Sequence, residues 1–233
     1  MLPAIYEYEI LPSTNTTAKE MILAGTRQGV ILAHRQSAGR GRLGRSFFSE
    51  NGLFMSVILA PETFTLSPAL LTSAAAVAVC RTLRARGFDI GIKWVNDLHY
   101  EGKKICGILT EAVSNGSEIL GYVVGIGLNL GNSDFPEELR DIAASLPIAP
   151  SEKRTLLHEI VRTLDETLSD SAPALVSYLT AHSVVLGKPI RFFGAQCGEG
   201  LAVGLDHEGG LIVETEDGPL TLTTGEISVR VKK

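Results

Sequence analysis

The chain has 233 residues, 45% of them hydrophobic and 20% charged, with a formal net charge of −5. That is apolar material for one sizeable core and a small appended domain, and the acidic balance argues against a protein that coats nucleic acid or lies on an anionic membrane through its overall field. Its three cysteines, Cys80, Cys106 and Cys197, are far apart and in no metal-ligand spacing, which argues against a disulfide framework or a zinc site. A reducing, cytoplasmic setting is expected. The first residues show no basic segment followed by an apolar run, and no apolar stretch is long enough to span a bilayer.

In chain order, residues 5–10 alternate apolar with Glu7 and Glu9 and read as a short, partly exposed strand. Ser13-Thr14-Asn15 then offers helix-capping side chains, Ala18, Met21 and Ile22 supply an apolar face, and Gly25 ends the helix. Residues 29–35 read as a strand that runs into a loop rich in glycine and arginine. Residues 53–60 form an apolar strand, and the spacing of Leu66, Leu70, Leu71, Ala74, Val77 and Ala78 predicts a helix closed near Gly87.

Residues 90–95 read as a strand, 96–103 as a turn, and 105–113 and 120–130 as two strands joined through Ser114-Asn115-Gly116. An amphipathic helix follows on Leu156, Leu157, Ile160, Val161, Leu164 and Leu168, and a shorter one over residues 173–182. Strands come in runs, so the fold class is α+β. From Val184 onward, short stretches at 189–193, 200–205, 211–215, 219–223 and 227–231, with turns about every ten residues, predict a small antiparallel β-barrel. The expected domains are therefore 1–183 and 184–233.

The loop Gly39-Arg40-Gly41-Arg42-Leu43-Gly44-Arg45 lets backbone N–H groups and guanidinium forks converge on one anion. No Gly-Lys-Ser/Thr follows, so it is not a Walker loop, and its glycines do not open a helix as a dinucleotide fingerprint requires. Taken alone it fits a phosphate clamp, a solvated basic loop or a nucleic-acid contact.

Several further segments stand in a fixed order with it: Ser13-Thr14-Asn15, then Gln36 ahead of the loop, Lys93-Trp94-Val95-Asn96-Asp97, Lys103-Lys104-Ile105-Cys106-Gly107-Ile108-Leu109, and Gly125-Ile126-Gly127-Leu128-Asn129. This series resembles the catalytic domain of biotin protein ligases, and residues 184–233 resemble their C-terminal domain. The resemblance implies a mixed sheet flanked by helices with an SH3-like C-terminal barrel. It implies an activity in which ATP and biotin form biotinyl-5′-AMP, and biotin then passes to a lysine of a biotin carboxyl carrier protein or domain. Mg²⁺ would accompany ATP; no tightly bound prosthetic group, DNA or membrane partner is expected, and a homodimer is compatible. Regulatory members carry a DNA-binding region ahead of the catalytic domain, and the early position of Ser13 leads us to expect the ligase activity alone. The chain has Val95 where the family usually has proline, which removes a fixed φ from that turn, and Phe47 where the family usually has tryptophan, which loses an indole N–H.

Biotin combines an apolar bicyclic body, a ureido group that donates and accepts, and a carboxylate. Ser13, Thr14, Asn15 and Gln36 provide hydroxyls and amides of both hydrogen-bonding senses. The resemblance assigns biotin binding to these four and to Gly39, Arg40, Gly41, Arg42, Lys104, Gly107, Gly125 and Gly127. It assigns ATP or adenylate to Arg40, Arg42, Arg45, Phe47, Trp94, Asn96, Lys104 and Asn129, the last with a bond to the loop after its strand as the alternative. Two anions must meet for activation, so catalysis rests on charge: Lys104 as a compact cation between carboxylate and α-phosphate, with Arg42 and Arg40. Ser13 is also read as a plain helix cap, Lys104 and Asp97 as solvated turn residues, and Trp94 and Phe47 as adenine neighbours or core. Asp97 has two further roles open, metal ligand and orienter of the acceptor lysine. Glycines 107, 125 and 127 in apolar strands suggest close approach of a ligand to backbone, or bulges. Cys106 is expected to pack rather than react. Two other functions compete: a lipoate- or octanoate-attaching enzyme of the same superfamily, and a nucleic-acid-binding module using the arginine loop.

Overall fold

The computed structural model describes residues 3–39, 41, 52–131, 135–194, 196–223 and 228–231. A seven-stranded sheet carries the larger part of the chain. Its strands are β1 (Ile5–Leu11), β2 (Gly29–Gln36), β3 (Gly52–Leu59), β4 (Ile90–Lys93), β5 (Asp97–Tyr100), β6 (Lys103–Asn115) and β7 (Glu118–Asn129), in the spatial order β1-β2-β3-β7-β6-β5-β4. Strand β1 runs parallel to β2 and the other pairs are antiparallel, so the sheet is mixed as expected. The residue pattern explains the order. Every residue of β3 is buried, as in a central strand covered on both faces, whereas β1 is largely exposed and lies at an edge.

Helices cover the two faces. Side chains of β2 and β3 alternate between a large core holding Val30, Leu32, Leu53, Met55 and Val57 and a smaller one holding Ile31 and Ile58. Helices α2 (Leu71–Ala85), α3 (Lys153–Leu168) and α4 (Ala172–Ala181) pack into the large core, and α1 (Thr14–Leu23) covers the smaller with Ala18 and Ile22. All six apolar positions that predicted α3 are buried. Gly25 and Gly87 follow α1 and α2 with φ of 99° and 91°, the left-handed conformation that lets a helix end without a Cβ clash.

Two expectations need correction. Residues 96–103 are not one turn, because β5 lies within them and pairs with both β4 and β6. Only Leu98 of that stretch is buried, so its polar neighbours Asp97 and His99 hid the strand in the sequence pattern.

The second correction concerns the C-terminal barrel. Strands β8 (Pro189–Phe193), β9 (Gly198–Leu205), β10 (Leu211–Thr215), β11 (Gly218–Leu222) and β12 (Ser228–Val231) form a five-stranded antiparallel sheet in the order β11-β10-β9-β8-β12, not a closed barrel. Its core is completed from outside: Trp94 and Val95 pack among Ile190, Phe192, Leu211, Val213 and Leu222, and the Trp94 indole N–H donates to the Gly209 carbonyl at 2.9 Å. Apolar surface that closure would have buried is covered by the turn between β4 and β5 instead. Among the described residues, no helix is long and apolar enough to cross a membrane.

Candidate functional site

An open cleft of about 1310 Å³ collects most of the residues singled out from the sequence. At one end lies the N-terminus of α1. Residues after β2 continue its parallel pairing past the end of β1, where Ser37 and Ala38 N–H groups donate to the carbonyls of Leu11 and Pro12. Parallel alignment of Gln36 with Leu11 sets it at the first turn of α1, and Gln36 Oε1 accepts the Thr14 N–H at 2.8 Å. Gln36 thus satisfies one of the first-turn helix N–H groups that has no partner within the helix. Ser13 occupies the cap position with extended backbone, yet its buried side chain makes no capping bond. A plain cap therefore does not account for it.

Thr14 and Asn15 are buried beside a residue that the sequence reading missed, Ser56 of β3. The Ser56 hydroxyl lies 2.7 Å from Thr14 Oγ1 and 2.6 Å from Asn15 Oδ1. The Asn15 amide nitrogen donates to the Leu109 carbonyl at 3.2 Å and to Glu111 Oε2 at 2.8 Å, and Lys19 pairs with the other Glu111 oxygen at 2.8 Å. Glu111 and Lys19 were missed as well. Asn15 also explains Gly125: a Cβ there would stand 2.0 Å from Asn15 Oδ1, so the close approach this glycine permits is that of Asn15.

At the charged end, Lys104 Nζ and Asp97 Oδ1 are 2.6 Å apart, with 34% and 21% of their side chains exposed. Neither is a freely solvated turn residue. The backbone of Lys104 is held on both sides by the neighbouring loop: its N–H donates to Ile142, and its carbonyl accepts from Ala144. The same loop receives the Asn129 side-chain N–H on Ala144 O at 3.1 Å. Asn129 Oδ1 is buried without a hydrogen-bond partner among the described residues, a cost that a ligand or ion in the cleft would relieve.

The turn between β4 and β5 is pinned despite Val95, because Asn96 exchanges bonds with Ile108: its carbonyl accepts the Ile108 N–H at 2.8 Å, and its amide donates to the Ile108 carbonyl at 3.1 Å. Trp94 borders the cleft, but most of its surface belongs to the C-terminal core. His99 also lines the cleft; burial, and then the charge of Lys93, hold its imidazole below the usual histidine range. Burial pushes the Cys106 thiol far up, so it stays protonated and serves as packing.

The cleft therefore brings together Ser13, Thr14, Asn15, Gln36, Gly41, Trp94, Asn96, Asp97, Lys104, Gly107, Gly125, Gly127 and Asn129. Gly39 is not among its lining residues. Arg40, Arg42, Arg45 and Phe47 lie outside the described residues. No group of three or more His, Cys, Asp or Glu that would cage a metal occurs among the described residues. Mg²⁺ needs less, because it takes one or two protein oxygens and completes its shell with phosphate and water. Asp97 and the unpartnered Asn129 Oδ1 are hard oxygen donors of that kind, and both line the cleft.

Comparison with known proteins agrees with this geometry. Residues 7–129 match the family model described as "Biotin/lipoate A/B protein ligase family", and residues 185–230 match "Biotin protein ligase C terminal domain". The chain is 32% identical over 242 residues to the bifunctional ligase/repressor BirA of Bacillus subtilis, covering 95% of this chain and 73% of that protein. It is 29% identical over 232 residues to the biotin--[acetyl-CoA-carboxylase] ligase of Paracoccus denitrificans, covering 92% and 96%. Among solved structures, the biotin protein ligase from Aquifex aeolicus in complex with biotin and ATP is similar with a TM-score of 0.86 and 27% identity, over 98% of this chain and 99% of that one.

Proposed function

The chain belongs to the biotin/lipoate A/B protein ligase family, and from that premise we propose that it is an ATP-dependent biotin protein ligase. A carboxylate oxygen of biotin attacks the α-phosphorus of ATP, pyrophosphate leaves, and biotinyl-5′-AMP remains bound. The amine of an acceptor lysine then attacks the acyl carbon, and AMP leaves as the amide forms. The acceptor is a biotin carboxyl carrier protein or domain, and a cytoplasmic setting belongs to the same reading. We take residues 1–183 as the adenylating unit and 184–233 as the C-terminal one.

One observation carries the proposal: a buried, neutral hydrogen-bonding cluster at one end of the cleft and the Lys104–Asp97 ion pair at the other. The first suits a ureido group, which is neutral and needs partners of both senses when buried. The second suits the meeting of two anions, whose repulsion Lys104 offsets. Thr14, Asn15, Ser56 and Gln36 bind and orient the ring end of biotin, so that its carboxylate reaches Lys104 in an aligned pose. Mg²⁺, when bound with ATP, supplies further neutralisation of the triphosphate, and Asp97 with Asn129 Oδ1 would hold it. Arg40, Arg42 and Arg45 enter through the sequence as triphosphate contacts, and Phe47 as an adenine neighbour.

A lipoate or octanoate substrate brings no N–H to the polar cluster, which disfavours that reading. Pyrophosphate exchange with biotin, lipoate and octanoate offered separately tests the proposal. Exchange with biotin alone is expected. Exchange with lipoate or octanoate at a comparable rate would overturn it.

A further inference from the structure

Ser56 has one hydroxyl proton and two oxygens close enough to receive it, Thr14 Oγ1 at 2.7 Å and Asn15 Oδ1 at 2.6 Å. Only one of them can. The choice is made by Asn15, whose amide is fixed by its other neighbours: Nδ2 faces the Leu109 carbonyl and Glu111 Oε2, and neither has a proton to give. With the nitrogen committed to that side, the oxygen must face Ser56, and a carbonyl oxygen only accepts. The Ser56 proton therefore goes to Asn15, and the 2.7 Å contact runs from the Thr14 hydroxyl to Ser56. Gln36 Oε1 is served by the Thr14 N–H at 2.8 Å, and the longer 3.3 Å approach of Thr14 Oγ1 to it is left without a proton.

We infer that Glu111, anchored by Lys19, is a positioning residue that sets the direction of a hydrogen-bond chain from Thr14 through Ser56 to Asn15, and so makes Thr14 Oγ1 an acceptor-only contact for a ligand N–H. No proton is transferred; what is fixed is which atom donates to which. The inference rests on reading the cleft as a biotin site and adds a cause for its selectivity. A ureido N–H matches an acceptor-only oxygen. A dithiolane ring or an alkyl chain offers no N–H and would bury that oxygen unpaired, the situation that gives polar sites their strongest discrimination. The carboxylate thus acts on the substrate across three side chains without touching it.

Glu111→Gln in the full chain tests the idea. The Lys19 ammonium retains the new amide's oxygen, so its NH₂ group faces Asn15 across the shorter 2.8 Å contact and favours the turned amide, against the weaker 3.2 Å contact to the Leu109 carbonyl. Ser56 then accepts from Asn15 and donates to Thr14, so the Thr14 oxygen is already engaged and its own proton turns to Gln36 Oε1, 3.3 Å away, or into the cleft. In biotin-dependent pyrophosphate exchange, KM for biotin is expected to rise roughly tenfold or more, while kcat and KM for ATP stay within about twofold. In a Thr14→Val background the same substitution is expected to add less than about twofold, because the side chain that reads the direction is gone. An unchanged KM for biotin in Glu111→Gln, or equal fold-losses in the two backgrounds, would overturn the inference. Should Glu111→Gln fail to fold by circular dichroism, Ser56→Ala breaks the chain without changing charge. The same KM rise and the same non-additivity with Thr14→Val are then expected, and an unchanged KM overturns the inference. A wild-type chain with no biotin-dependent exchange sinks the ligase reading and this inference together, whereas wild-type exchange with no KM effect in the variants sinks the inference alone.

Discussion

The two ends of the cleft solve different recognition problems with different physics. At the α1 end, Thr14, Asn15 and Ser56 are buried and joined by hydrogen bonds among neutral groups, with the Glu111–Lys19 pair set behind them. At the other end, the Lys104–Asp97 pair is partly open to water and rests on a loop that also bonds Asn129. A buried neutral network is specific because an unpaired member is costly, so this end selects. A half-exposed cation is less selective, and it stabilises whatever anionic charge develops beside it, so that end activates.

Substitutions that break one end and spare the other test this division. The largest effect is expected for Lys104→Ala, with kcat for biotin-dependent pyrophosphate exchange falling by roughly 100-fold or more and the circular dichroism spectrum unchanged. Retained kcat would remove Lys104 from the chemistry. Gly125→Ala attacks the selective end, because its Cβ must displace Asn15. A rise in KM for biotin of about tenfold, with KM for ATP unchanged, is expected in steady-state exchange; equal rises for both substrates would show that the ends are not independent.

A smaller effect is expected where the turn between β4 and β5 packs on the C-terminal sheet. Trp94→Phe leaves the Gly209 carbonyl without its indole donor and should cost about 1–2 kcal/mol of stability, read as a fall of a few degrees in Tm. An unchanged Tm would mean that this bond contributes nothing to coupling the C-terminal sheet. The smallest effect is pH-dependent. The pKa of His99 is depressed by burial and by Lys93, so its contribution to stability is fully present above its unfolded value of about 6.5 and is lost as pH falls toward the folded value. Urea midpoints of the wild type should fall between neutral pH and mildly acidic pH more than those of His99→Gln. Parallel curves would count against it.

Regular periodicity was legible, and distant pairing was not. Helix α3 and strand β8 stand where the apolar spacing put them, because a face buried against one core repeats at a single period. Thr14, Asn15, Gln36, Asp97 and Lys104 were singled out from sequence, and the fold brings them to one cleft. Ser56 escaped notice because one hydroxyl in the apolar run GLFMSVIL looks like a tolerated substitution. Its meaning lies in partners about forty residues away in the chain, Thr14 and Asn15. Glu111 escaped for the same reason, since a carboxylate in a strand reads as a solvated face until Asn15 and Lys19 are seen against it. Trp94 was open between adenine and core; its main commitment is to a C-terminal sheet whose Gly209 lies 115 positions away. The expected barrel failed on the same point, because strand spacing carries no information about residues supplied from another part of the chain.

The central claim is that the neutral end selects biotin and the charged end activates it for transfer to a protein lysine. The most direct test is the mass of a purified biotin carboxyl carrier domain after incubation with this protein, Mg-ATP and either biotin or lipoate. The account predicts a gain of one biotinyl group on a single lysine, and no gain with lipoate or without ATP. A carrier that stays unmodified with biotin, or that gains lipoyl as readily, would contradict it.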